Sequence, residues 1–126
     1  MRLSIVIPAK NEARLLPRLL AALRSQRGVE LETIVADAGS ADGTPALAAA
    51  AGAHVVPGGL PGPGRNAGAR VATGEWICFH DADVLPAEPD FYARALAAFA
   101  RRGAEVGTVR FIPEARTWPD RAFHWL

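Results

Sequence analysis

The 126-residue sequence has one cysteine, one lysine and no long apolar run. The single thiol, Cys78, excludes a disulfide within the chain, and a reducing, cytoplasmic setting is the expectation. The opening MRLSIVIPAK holds a short apolar core before a proline, too little for a secretory signal or a membrane span. Charge of one sign is missing as well. Fourteen Lys and Arg against thirteen Asp and Glu leave +1, which gives no electrostatic pull toward nucleic acid or a membrane surface. Lys10 is the sole lysine, and beside so many alanines the arginines reflect composition rather than a polyanion-binding face. Glycine is absent where a dinucleotide fingerprint would need it, because the turn after the first strand-like run reads PAKNEA. The glycine-rich GPGRNAG comes after the third such run and matches neither that fingerprint nor a phosphate loop.

What is present is half hydrophobic, enough for one domain over residues 1–126 with a real core. LSIVI (3–7) is a continuous β-branched run of the kind buried on both faces of a parallel sheet. A helix is expected next, capped by Asn11, with Leu15, Leu19 and Leu23 on one face and Pro17 disturbing its first turn. Further strands are expected at LETIVA (31–36), AHVV (53–56), EWICF (75–79, buried) and EVGTVRFI (105–112). The intervening helices fall over 45–51, over 66–72 and after Pro89, the last ending at Gly103. Strands alternating with helices give an α/β fold with a mostly parallel sheet. Such a sheet binds ligands outside the carboxyl ends of its strands. The loops PAKNEA, DAGSADGT and HDADVLP therefore share one edge. The tail TWPDRAFHWL reads as an amphipathic helix that stops in mid-pattern. It suggests a packing face, with peripheral membrane contact and self-association left open, or a domain that continues further.

Asp81 and Asp83 pose a chemical problem at the end of EWICF. Two carboxylates about 4 Å apart repel by about 4 kcal/mol at an effective dielectric of about 20. A dication would offset this, since one or two carboxylates with phosphates and water suffice to hold Mg²⁺. Two solvated aspartates in a turn are the plainer reading. His80 falls on the same side of the strand as Cys78, as a metal ligand or as a hydrogen-bonded packing histidine. His54 and His124 belong to no constellation.

Taken in order, SIVIPAKNEA, TIVADAGSADGT and GRNAGARVATGEWICFHDADVLP resemble the GT-A-fold, family 2-like glycosyltransferases, over about residues 3–112. A finer likeness is to a bacterial branch of small family 2 enzymes, some of them found beside radical-SAM proteins. The resemblance implies a nucleotide-diphospho-sugar transferase fold, here the donor-binding part with the acceptor part absent. It implies that Pro8, Asn11 and Glu12 contact the donor nucleoside and that Asp37 reads the base. The family's frequent second acid is Ala38 here. Arg65 and Asn66 match the family's RN pair near phosphate or base, and Asp81 and Asp83 match its D-x-D motif, which holds Mg²⁺ or Mn²⁺ against the donor diphosphate. Ser40, Asp42 and Thr44 are read as turn-shaping residues. The family's general base lies well beyond the D-x-D motif, and none of Glu88, Asp90, Glu105, Glu114 or Asp120 replaces it, so no catalytic residue is named. Metal-dependent, inverting sugar transfer to an acceptor hydroxyl is expected, at the inner face of the membrane or free in the cytoplasm. Nucleotide-sugar binding without turnover is the alternative. A nucleotidyltransferase would share the sheet but needs a Gly- and Arg-rich first loop.

Overall fold

The computed structural model of the chain describes residues 1–59 and 62–108. Among the described residues four strands, β1 (Arg2–Ala9), β2 (Glu30–Asp37), β3 (His54–Pro57) and β4 (Trp76–Phe79), alternate with four helices. The helices are α1 (Leu16–Arg24), α2 (Thr44–Ala50), α3 (Gly62–Val71) and α4 (Phe91–Arg101). The sheet has the order β3-β2-β1-β4, and each pairing is parallel. Two compact units divide the chain, Met1–Arg94 with the sheet and Ala95–Leu126.

β1 is the central strand, and it reads as one. Leu3, Ile5, Val6 and Ile7 are buried because helices cover both faces, so no polar alternation is required. α1 turns Leu16, Leu19, Leu20 and Leu23 inward. Pro17 sits in its first turn, where a missing N–H costs no helical hydrogen bond. Asn11 is not its cap, as the sequence had suggested. Leu15 holds that position without a side-chain hydrogen bond, and Asn11 takes a left-handed conformation (φ 53°) that asparagine tolerates.

Two other expectations change. Among the described residues β4 pairs with β1 alone, and Ile77 (41% exposed) and Phe79 (51%) face outward rather than being buried. Glu105 to Thr108 form no strand, and the rest of the expected fifth strand, like the aromatic tail, lies outside the described residues. α3 starts four residues earlier than its pattern indicated. The reason is its glycine content. Gly64 and Gly68 are both buried, and a Cβ on Gly68 would strike Val6 Cγ1. One on Gly64 would meet the Gly59 carbonyl and lie 3.2 Å from Pro8 Cβ. Glycine, a poor helix former in isolation, is tolerated because it lets α3 pack closely on Val6 and Pro8 of β1.

Candidate functional site

The sheet order decides where a ligand can sit. The chain steps from β1 out to β2 and β3, then returns past β1 to β4, so the order reverses between β1 and β4. Open α/β sheets bind ligands at that reversal, beyond the carboxyl ends of the strands. The register opens the crevice further. β1 pairs with β2 as far as Ala9 with Asp37, but its pairing with β4 stops at Val6 with Phe79. Beyond that point the chain leaves the sheet as His80-Asp81-Ala82-Asp83.

Asp81 and Asp83 belong to one turn, closed by the Val84 N–H donating to the Asp81 carbonyl (3.2 Å). Ala82 between them is buried (4% exposed), beside Leu15 and Arg18 at the entry to α1. Both aspartates are exposed, and Arg65 reaches from α3 to within 3.7 Å of Asp81 Oδ1. An ion pair this open to solvent contributes about 0–1 kcal/mol, so it orients Asp81 more than it stabilises the fold. His80 is fixed at both ends. Its backbone N–H donates to the Val6 carbonyl (2.9 Å), and its ring Nδ1 lies 2.9 Å from the Asp81 carbonyl. Burial pushes its pKa below the ordinary 6.5, against the opposing influence of Asp81 and Asp83. Tyr92 stacks obliquely at 6.1 Å, and its buried hydroxyl has no hydrogen-bond partner among the described residues.

The first two loops interlock. Asn11 donates its N–H to Ser40 Oγ and accepts the Ala41 N–H on Oδ1, both at 2.8 Å. The Glu12 N–H donates to Thr44 Oγ1 (3.0 Å) and the Ala13 N–H to Asp42 Oδ2 (3.0 Å). Thr44 donates its hydroxyl to Asp42 Oδ1, which holds that carboxyl below its ordinary range. Ser40, Asp42 and Thr44 therefore shape the turn, as their residue types implied. Asp37 accepts the N–H groups of Gly39 (3.1 Å) and Ser40 (3.0 Å) on Oδ2 and the Ser40 hydroxyl (2.6 Å) on Oδ1. Its carboxylate is thereby oriented, with acceptor capacity left over.

Pro8, Asn11, Glu12, Asp37, Arg65, Asp81 and Asp83 thus gather along one edge, in two parts. Arg65 and the aspartate turn lie on the β4 side of β1, and Asn11, Glu12 and Asp37 on the β2 side. Pro8 packs beneath α3, and Asn66 is exposed one residue past Arg65. The close approach that Gly64 and Gly68 permit is helix to strand, not protein to ligand. The Arg65–Asp81 pairing and the clasp of His80 on the turn carried no sequence signal beyond residue type. Among the described residues no three His, Cys, Asp or Glu side chains could hold a metal by themselves. Two exposed carboxylates in one turn fit a hard dication only if the ligand supplies further oxygens. A cavity of about 160 Å³ opens elsewhere, between α1, β2 and the end of α2, and Arg24 is its only charged lining residue.

A parallel sheet of this order is that of a doubly wound α/β fold, and its similarity to solved glycosyltransferases makes it the GT-A type. Solved structures agree: S. aureus TarS superposes with a TM-score of 0.75 at 24% identity, covering 90% of this chain and 39% of that one. The profile of Glycosyl transferase family 2 matches residues 4–125, and the chain belongs to that family. A mannosyltransferase of Pyrobaculum calidifontis, solved with GDP-Man and Mn²⁺, superposes with a TM-score of 0.70 at 27% identity, over 78% of this chain and 32% of that one. Among curated proteins, the succinoglycan biosynthesis protein ExoO of Rhizobium meliloti is 34% identical over 114 residues, 82% of this chain and 31% of ExoO. A TPR repeat-containing protein of Synechococcus elongatus is 40% identical over 85 residues, 65% of this chain and 20% of that protein. The chain spans about a fifth to a third of the length of these curated relatives.

Proposed function

We propose that the chain is the donor-binding part of a metal-dependent glycosyltransferase, which transfers a sugar from a nucleoside diphosphate to an acceptor hydroxyl, with inversion. The observation that carries this reading is the aspartate turn at the β1/β4 reversal, with Arg65 3.7 Å from Asp81. Asp81 and Asp83 would hold Mg²⁺ or Mn²⁺. When bound, the cation offsets charge on the departing diphosphate. Arg65, whose planar guanidinium suits phosphate oxygens, would leave Asp81 for the diphosphate once the cation takes its place. Asn66 follows it on α3 and would border the same diphosphate. Asp37, held by its own loop, would offer its remaining lone pairs to the base. Asn11 and Glu12 would line the nucleoside, with Pro8 forming the floor beneath. The similarity to a protein solved with GDP-Man and Mn²⁺ supports both donor class and metal.

A second reading, nucleotide-sugar binding without turnover by this chain, has its own support. Glu88 pairs with Arg94 (2.5 Å), and Asp90 lies 3.7 Å from the same guanidinium. These two carboxylates, the next along the chain after the aspartate turn, are held by one arginine. Calorimetric titration with UDP and GDP sugars, with and without Mn²⁺, tests donor binding, and hydrolysis of the bound sugar nucleotide separates the two readings. Asp83→Ala is expected to remove the Mn²⁺-dependent part of binding. Unchanged binding in that variant would sink the metal assignment.

A further inference from the structure

We propose that His80 is a positioning residue: by donating Nδ1–H to the Asp81 carbonyl, it holds the turn that presents Asp81 and Asp83. The inference rests on the donor-and-metal reading above and assigns a role to a residue that this reading leaves unused. Three observations carry it. The Asp81 carbonyl is the acceptor that closes the turn, taking the Val84 N–H at 3.2 Å, and the same oxygen receives His80 Nδ1 at 2.9 Å. A carbonyl only accepts, so Nδ1 must carry the proton. The His80 backbone is itself tied to β1 through the Val6 carbonyl (2.9 Å), so the ring braces the turn against a buried inner strand of the sheet. Tyr92, only 3% exposed, closes over the ring and limits its rotation. Both carboxylates are exposed, so apart from the Arg65 contact on Asp81 their direction follows the backbone of the turn. Groups that orient metal-binding side chains without touching the metal typically change its affinity by about 10–100-fold.

The test is Mn²⁺ titration of the full chain, followed by electron paramagnetic resonance, at a fixed excess of UDP or GDP. In His80→Asn the amide nitrogen takes the place of Nδ1, and binding is expected within about twofold of wild type. In His80→Gln the amide falls at the Nε2 position, and binding is expected to weaken about tenfold while the melting temperature stays close to that of His80→Asn. Equal binding by His80→Gln and wild type, or equal losses in both variants, overturns the inference alone. A wild-type chain that binds no Mn²⁺ with either nucleotide overturns the donor-and-metal reading and this inference together. The ¹⁵N shifts of the wild-type imidazole need no variant to fold. They are expected to show the Nδ1–H form, and a dominant Nε2–H form overturns the proposed brace.

Discussion

Glu32 is a residue whose charge belongs to the fold rather than to the site. It faces Ser4 across the β1–β2 pairing and accepts the Ser4 hydroxyl (2.5 Å), the Thr73 N–H (2.8 Å) and the Thr73 hydroxyl (3.0 Å). Burial pushes its pKa up, but these donors and the Arg2 charge outweigh it, and the carboxyl titrates below the ordinary 4.5. A depressed carboxylate contributes stability above its unfolded pKa and loses it as pH falls through the folded value. Glu32→Gln is therefore expected to cost about 1–2 kcal/mol at pH 7. In urea unfolding, the gap to wild type should close below pH 4.5. Cys78 behaves oppositely. Burial pushes its thiol up to about 11, from an ordinary 9.0. Native protein at pH 8 then carries about a hundredfold less thiolate than an exposed cysteine. Disulfide-exchange reagents should label this half-buried thiol slowly until denaturant is added, and rapid native labelling would contradict its raised pKa.

Among the elements, α3 has the sequence least like a helix and the most demanding packing. Gly→Ala within a helix ordinarily stabilises by about 1 kcal/mol. At Gly68 the sign should reverse, because the added methyl meets Val6 and must move the helix or the strand. Gly68→Ala is expected to destabilise by about 1–3 kcal/mol. Gly62→Ala, with open space around its Cβ, should leave stability unchanged or slightly raised. Thermal unfolding of the two variants side by side checks this. The sequence places a helix here through its arginine and alanine content, but cannot say that the glycines face β1, since that depends on which strand lies beneath. Asn11 teaches the same point. As a polar residue between a strand and a leucine-rich stretch it reads as a helix cap, yet the partners that claim it, the Ser40 hydroxyl and the Ala41 N–H, arrive from the loop after a different strand.

For the whole molecule, the exposed Arg65–Asp81 pair separates stability from binding. Arg65→Ala should barely move the melting temperature of the free chain, because an open ion pair contributes about 0–1 kcal/mol. It should weaken binding of a nucleoside diphosphate about tenfold or more, through loss of a charge-assisted phosphate contact. Calorimetry and melting curves on one sample read both. Much of this architecture was legible beforehand. β-branched runs separated by leucine- and alanine-rich stretches dictate alternating strands and helices, and parallel strands put the three polar loops on one edge. The aspartate pair and the turn-shaping Ser40, Asp42 and Thr44 could be marked by type and spacing, and Arg65 by its resemblance to the family motif. Those properties are local, written in windows of a few residues. The strand order was not legible, because it depends on which of several similar strands pair across some seventy residues. That order places β4 beside β1 rather than beside β3. It stops their pairing at Val6 and so brings Arg65, His80 and the aspartate turn together. The sequence by itself determined which charged and polar groups stand at the carboxyl ends of the strands. The tertiary structure decided where they meet, because sheet pairing and helix packing join residues that no local pattern connects.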